Sequence, residues 1–160
     1  MLGGELRLPV AMLQGKVPAV LLLHGSGGIG SNADAWARTF NEMGIAAFIV
    51  DSFSGRGIAG TVEDQTQLDS VSMMVDAYRA LDVLAAHRLI KADRIAVMGF
   101  SKGAVAAVFS SSNRFRAAYG SSNQFVAHIG MYTPCNARFV DDVKCLGRRY
   151  GSFMETWTTT

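Results

Sequence analysis

The chain has little of several features that define classes of protein. Two cysteines among 160 residues, Cys135 and Cys145, are too few for a disulfide framework, and they do not make a metal site. Charged residues make up 18% of the chain and the net charge is +2, without a basic cluster, which argues against nucleic acid or an anionic membrane as a partner. The longest apolar run, Val17–Leu23, is far too short to span a bilayer.

The same absences set expectations for location and size. No basic region followed by a long apolar run opens the chain, so we expect no signal peptide and a cytoplasmic protein. A hydrophobic content of 49% predicts a packed core, and 160 residues predict one domain. We expect no cofactor and no metal, and a small molecule as the binding partner.

Apolar strands alternate with helical segments along most of the chain. This order predicts an α/β fold with a mostly parallel sheet flanked by helices. The expected strands are 5–9, 19–23, 46–50, 95–99 and 126–132, and the expected helices are about 32–43, 66–86 and 102–110. In such sheets the chemistry lies at the carboxyl ends of the strands, where His24, Asp51, Ser101 and Tyr132 fall.

The strongest motif is Gly99-Phe-Ser-Lys-Gly103, between a short apolar strand and a helix of small residues. This is the G-x-S-x-G nucleophile elbow in the context that the motif requires. The turn presents the hydroxyl of Ser101, and Gly99 and Gly103 leave room where a Cβ would clash. We interpret Ser101 as a nucleophile. The alternative is a tight turn that carries an exposed serine.

A second motif, His24-Gly-Ser-Gly-Gly28, follows a buried strand directly. In acyl-transfer enzymes with this topology, such a loop supplies one N–H group to the oxyanion hole, and the residue after the nucleophile supplies the other. We therefore predict backbone donors at Lys102 and Ser26, with Gly27 as a second candidate in the loop. Gly25 and the His24 side chain are expected to hold the loop, and the Lys102 side chain is expected to be exposed.

The same loop has a competing interpretation as a dinucleotide site. Residues 25–30 satisfy G-x-G-x-x-G after a strand, and Asp51 follows about 20 residues later. Helix caps at Asn32 or Asp34 would start the helix too late to hold a pyrophosphate. This interpretation also leaves the elbow at Ser101 without a role.

Four segments together resemble the dienelactone hydrolase family of α/β hydrolases. They are Val20-Leu-Leu-Leu-His-Gly-Ser-Gly-Gly, Val50-Asp-Ser-Phe, Asp93-Arg-Ile-Ala-Val-Met-Gly-Phe-Ser-Lys-Gly and Ala127-His-Ile-Gly-Met-Tyr-Thr-Pro-Cys135. The resemblance covers residues 4 to about 143. It implies hydrolysis of esters or lactones through a covalent acyl intermediate on Ser101. The namesake enzymes use cysteine, and many relatives use serine.

The acid and the histidine that this fold places after the nucleophile are not evident. No histidine follows His128, and residues 145–160 show no strand pattern. Shifting the codons two bases forward forces Gly at the Met154–Glu155 junction and Asp at the Trp157–Thr158 junction. The shifted peptide can then be an apolar strand with the family's acid-bearing H-G-x-x-D loop.

We therefore hypothesise a frameshift near 143–147, with a naturally divergent tail as the alternative. Residues 1–143 would be a partial hydrolase domain, incomplete at its C-terminal end, and residues 144–160 an aberrant tail. Without a base, Ser101 is a weak nucleophile, so we expect negligible esterase activity and, from uncovered apolar faces, poor solubility. The other candidate is a hydrolase-like binding protein that keeps the pocket without turnover.

Overall fold

The structure, a computed structural model, describes residues 3–10, 15–134 and 149–153. The strands among these residues are Gly3–Arg7 (β1), Val17–Leu23 (β2), Ala46–Asp51 (β3), Ile90–Phe100 (β4), Ala127–Met131 (β5) and Arg149–Phe153 (β6). The α-helices are Ser31–Glu42 (α1), Ser70–Ala86 (α2), Lys102–Phe109 (α3) and Asn113–Tyr119 (α4), and two 3₁₀ turns cover Ser54–Arg56 and Gln65–Gln67.

The strands form one sheet in the order β1-β3-β2-β4-β5-β6. β1 runs antiparallel to β3 at one edge, and the other neighbouring pairs are parallel. From β2 the chain passes through α1 to β3 on one side, then through α2 to β4 on the other side of β2. This reversal opens a crevice at the carboxyl ends of β2 and β4, where open α/β sheets bind ligands. The predicted α/β fold is confirmed.

Strand β2 is buried on both faces of the sheet, as its continuous apolar run predicts. Leu21 and Leu23 belong to the core cluster that contains the buried residues of α2, including Met73. Val20 and Leu22 belong to the cluster on the other face, beneath α1. Side chains alternate along a strand, so one run of leucines supplies both cores. Each fully buried side chain of this size contributes about 1.5–3 kcal/mol.

Two helices begin at different residues from those predicted. Helix α2 begins at Ser70, not near 66, because the Asp69 carboxylate accepts the N–H of Ser72 at 2.6 Å and caps the helix there. Helix α1 begins at Ser31, with Gly30 as the N-cap and no side-chain cap, so the predicted caps at Asn32 and Asp34 are wrong. The Asn32 side chain instead accepts the N–H of the next residue.

The C-terminal tail differs from expectation over five residues. No strand was expected in 145–160, but Arg149–Phe153 forms β6, parallel to β5. The backbone groups at the free edge of β5 form main-chain hydrogen bonds with a neighbouring strand. Such pairing does not require an alternating pattern of apolar side chains. The proposed frameshift region and both codon junctions lie outside the described residues. The division at residue 143 therefore stays a prediction.

Candidate active site

Ser101 lies in the sharp turn between β4 and α3. Its backbone has φ 50° and ψ −113°, a left-handed φ that non-glycine residues rarely adopt. Such strain costs about 1–3 kcal/mol and persists where the surroundings impose it. Here the Ser101 N–H donates to the carbonyl of Met131 at 2.9 Å, which ties the turn to the end of β5. The side chain of Ser101 is exposed above the sheet.

Two glycines allow helix α3 to lie against the strands below it. A Cβ at Gly99 would lie 2.1 Å from the carbonyl oxygen of Gly103. A Cβ at Gly103 would lie 2.4 Å from the carbonyl oxygen of His24 and 2.6 Å from that of Leu23. Every one of these neighbours is backbone and cannot rotate away. A Cβ at either elbow glycine would therefore clash with the backbone, as the motif predicts.

The His24 side chain hydrogen bonds to the loop that follows β2. It is 3% exposed, its Nδ1 donates to the carbonyl of Gly25 at 2.8 Å, and its Nε2 accepts the N–H of Ser52 at 3.2 Å. Phe53 packs edge-on against the ring, with centroids 4.3 Å apart. Burial lowers the pKa of His24, which favours the neutral ring whose Nε2 accepts the N–H of Ser52. These contacts join the side chain to the backbone of the segments that follow β2 and β3, and its role in holding the loop stays a prediction.

Glycine has different uses along this loop. A Cβ at Gly25 would lie 3.3 Å from the carbonyl oxygen of Phe100, so the loop passes close to the end of β4. Gly27 has no such neighbour within 4 Å. Gly28 adopts φ +83°, which favours glycine. The close approach at Gly25 brings the loop beside the elbow.

Ser26 lies in the loop at the mouth of a cavity of about 450 Å³. The cavity lies over the elbow, and both predicted oxyanion donors contribute to its lining. The lining residues are Ser26, Gln65, Asp69, Ser70, Ser101, Lys102, Val105 and Pro134. The tertiary structure thus brings Ser26 and Lys102 together with Ser101, although 75 positions separate Ser26 from Ser101 in the sequence.

The Lys102 side chain is buried, which corrects the expectation that it is exposed. It is 7% exposed, and its Nζ donates to the carbonyl of Gln65 at 2.9 Å and to Oγ1 of Thr61 at 3.3 Å. Burial lowers the pKa of Lys102, while the carboxylates of Asp69 and Asp64 oppose the shift. One feature of the sequence indicates this burial: Lys102 is the first residue of a helix whose other residues are apolar or small.

None of the three histidines hydrogen bonds to Ser101 within the described part of the chain. His24 is held by backbone groups, as described above. His87 caps the end of α2 and accepts the N–H of Leu89 at 3.3 Å. His128 is 1% exposed, with Nδ1 at 2.9 Å from Ser110 Oγ and 3.0 Å from the Ala107 carbonyl. His128 is thus held in the core by groups of α3 and the turn that follows it, and His87 is half-buried.

Asp51 ends β3 and serves the backbone of the following turn. Its Oδ1 accepts the N–H groups of Phe53 and Ser54, both at 2.9 Å. Burial opposes ionisation of Asp51, but these hydrogen bonds outweigh burial and its pKa is lowered. Since α1 begins directly after Gly30, the argument that the helix starts too late for a dinucleotide is wrong. One oxygen of the Asp51 carboxylate, Oδ1, however, already accepts two backbone N–H groups.

An ion pair between an exposed arginine and a buried aspartate, which the sequence did not reveal, joins the turn after β3 to helix α2. Arg56 forms a bidentate pair with Asp76, with both N–O distances at 2.8 Å. Arg56 also donates to the carbonyl of Ser52 at 2.7 Å, and the N–H of Ser52 donates to His24. This chain of contacts connects α2 to the loop after β2. The sequence indicated this ion pair only through Asp76, an aspartate at a buried position of helix α2.

Two further observations concern cofactors and membranes. Among the described residues, no cluster of three or more His, Cys, Asp or Glu side chains is placed to hold a metal ion. Within the same residues, no helix has the length and apolar character needed to cross a membrane.

No family model and no curated protein matches this sequence. Solved structures do match. A protein described as a dienelactone hydrolase from Klebsiella pneumoniae subsp. pneumoniae MGH 78578 shares 13% identity, with a TM-score of 0.71 over 95% of this chain and 72% of that one. A dienelactone hydrolase-like promiscuous phosphotriesterase from metagenomic libraries shares 19% identity, with a TM-score of 0.68 over 93% and 61%.

Est1E from Butyrivibrio proteoclasticus, solved with ferulic acid, shares 19% identity, with a TM-score of 0.62 over 82% of this chain and 49% of Est1E. The chain thus spans about half the length of Est1E, and 44% of an acetyl xylan esterase from Paenibacillus sp. R4. The fold is that of the α/β hydrolases. At the level of the fold, its likeness to dienelactone hydrolase-like proteins and esterases confirms the resemblance seen in the sequence.

Proposed function

We propose that this chain carries the nucleophile and the oxyanion-binding half of a hydrolase of carboxylic esters or lactones. The observation that supports this most is the backbone of Ser101, strained at φ 50° between β4 and α3 and exposed in a cavity. The nucleophile elbow adopts this conformation to present the serine hydroxyl, and a surface turn would not require glycine at two positions where a Cβ would lie 2.1–2.6 Å from backbone oxygens.

In the proposed reaction, Ser101 Oγ attacks the carbonyl carbon of a small ester or lactone. The Oγ–carbon bond forms, the ester C–O bond breaks, and the proton lost from the Ser101 hydroxyl is taken up by the alcohol as it leaves. Water then hydrolyses the acyl intermediate and regenerates Ser101. The N–H groups of Lys102 and Ser26 would stabilise the oxyanion, each contributing about 3 kcal/mol. Lys102 opens α3, where an N–H has no partner within the helix.

Among the described residues, no side chain hydrogen bonds to Ser101 as a proton acceptor. His24, His87 and His128 are each held by other groups, at the distances given above. We therefore propose that this chain reacts slowly with esters. Enzymes that lose triad members retain a rate of roughly 10³–10⁴ over water through the oxyanion hole and binding. Ser101 should accordingly react with esters faster than any other serine of the chain, but at a rate far below that of an ordinary esterase.

A fluorophosphonate probe tests this proposal, because it phosphonylates activated serines. We expect slow labelling at Ser101, mapped by mass spectrometry of the digested protein and lost in Ser101→Ala. Denatured protein serves as the background. Equal labelling of Ser101 and the exposed Ser122 would overturn the proposal. Turnover of p-nitrophenyl acetate at an ordinary esterase rate, lost in Ser101→Ala, would overturn the proposed lack of a base.

A binding protein without turnover is the second candidate, and the occupied histidines favour it. It predicts saturable binding of esters in the cavity with no labelling of Ser101. The dinucleotide alternative predicts binding of NAD in a titration, with residues 25–30 responding. Two titrations of the protein, one with an ester and one with NAD, thus distinguish these two alternatives.

A further inference from the structure

We infer that the segment Thr61–Gln65 fixes the two proposed oxyanion amides relative to each other, with the side chain of Lys102 as its anchor. The inference rests on the proposed function. It assigns Thr61, Gln65 and the Lys102 ammonium as positioning groups. None of them needs to touch the substrate in order to act.

The segment is bonded to Ser26 at both of its ends. The N–H of Thr61 donates to the carbonyl of Ser26 at 2.7 Å. The hydroxyl of Ser26 donates to Oε1 of Gln65 at 3.0 Å. One bond uses the backbone of Ser26 and the other uses its side chain, so the residue can neither slide nor rotate freely. The loop at Ser26 is thereby held from outside the turn that contains it.

The same segment is bonded to Lys102. Its Nζ donates to the backbone carbonyl of Gln65 at 2.9 Å and to the hydroxyl of Thr61 at 3.3 Å. Thr61 is fully buried and Lys102 is 7% exposed, so the bond between their side chains is shielded from water. Four hydrogen bonds thus form a closed ring in which Ser26 and Lys102 are joined through Thr61 and Gln65.

The ring matters because the two amides lie in different segments, which follow different strands. Lys102 follows β4 and is set by helix α3, whereas Ser26 lies in a loop between Gly25 and Gly27. Glycine on both sides gives the loop unusual backbone freedom. An oxyanion donor must lie within hydrogen-bond distance of one point, and a misplacement of about 1 Å can cost roughly a hundredfold in rate.

The test compares Lys102→Met and Gln65→Ala with the matched control Gln67→Ala. Gln67 lies in the same 3₁₀ turn and is exposed. Lys102→Met keeps the length of the side chain and removes the ammonium, and Gln65 is exposed, so its replacement does not threaten folding. For each variant we would measure the maximal labelling rate of Ser101 and the half-saturating concentration of the fluorophosphonate. Hydrogen exchange of residues 24–30 and 61–67 is followed in parallel.

We expect Lys102→Met to lower the maximal labelling rate at least tenfold and Gln65→Ala about threefold, with half-saturation unchanged. Hydrogen exchange should rise in both 24–30 and 61–67. If Ser101 of the unaltered chain is labelled and both variants match Gln67→Ala in rate and exchange, the inference is wrong and the proposed function stands. If Ser101 is never labelled but exchange rises in both segments, the proposed function fails and the link between the loops is supported.

Discussion

Gly103→Ala tests whether the elbow depends on the close approach of α3 to β2. The new Cβ would lie 2.4 Å from the carbonyl oxygen of His24, whereas ordinary contacts start at 3.4 Å. The N-terminus of α3 must therefore move by about 1 Å. Overpacking of this kind costs about 1–3 kcal/mol. Alanine returns up to about 1 kcal/mol through its helix propensity.

We expect a net loss of about 1–2 kcal/mol in the free energy of unfolding, measured by urea denaturation followed by far-UV circular dichroism. The displacement carries the N–H of Lys102 with it, so the labelling rate of Ser101 should fall by about a hundredfold. Gly27→Ala is the control for stability, because a Cβ there meets nothing within 4 Å. If Gly103→Ala is as stable as Gly27→Ala, the reasoning about close packing at the elbow is refuted.

Three other predictions follow from the site. In urea denaturation, Arg56→Met should lower the free energy of unfolding by about 2 kcal/mol. The loss is smaller than for a fully buried pair because Arg56 is 35% exposed, and the double variant with Asp76→Leu should recover most of it. The pKa of His24 is lowered from its ordinary value of 6.5, so its contribution to the free energy of unfolding should be full above about pH 6.5 and should be lost as the pH falls below that value. In a series of unfolding measurements at different pH, His24→Gln should therefore show a shallower fall in stability. An equal fall in the variant and the unaltered chain would contradict this origin. Added imidazole should accelerate labelling of Ser101 if a base is missing, and no acceleration would indicate that the chain supplies one.

Much of the strand pattern followed from the sequence because buried strands are short continuous apolar runs. Leu21, Leu22 and Leu23 had to be buried, and the G-x-S-x-G turn after 95–99 required a strand before it and a helix behind it. The short helix α4 was not predicted, because seven residues give too little periodicity for a helical pattern. Strand β6 was not predicted either, because pairing with β5 uses main-chain groups.

The site was less predictable, because most of its bonds join distant segments. Lys102 was expected to face water, since lysine is rarely buried without partners. Its partners, Thr61 and Gln65, lie about 40 positions earlier and meet it through the packing of the loop over α3. The pair between Arg56 and Asp76 was missed for the same reason, since neither residue identifies the other in the sequence.

The sequence by itself determined the order of β1 to β5 and of α1 to α3, the sharp turn at Ser101 and the glycines that it needs. These depend on local pattern, on φ and on the absence of a Cβ. The tertiary structure alone decided that Ser26 and Lys102 share one cavity with Ser101 and that a buried ammonium joins their loops. Those features depend on which strand ends lie side by side, and parallel pairing brings together residues whose separation along the chain carries no local signal.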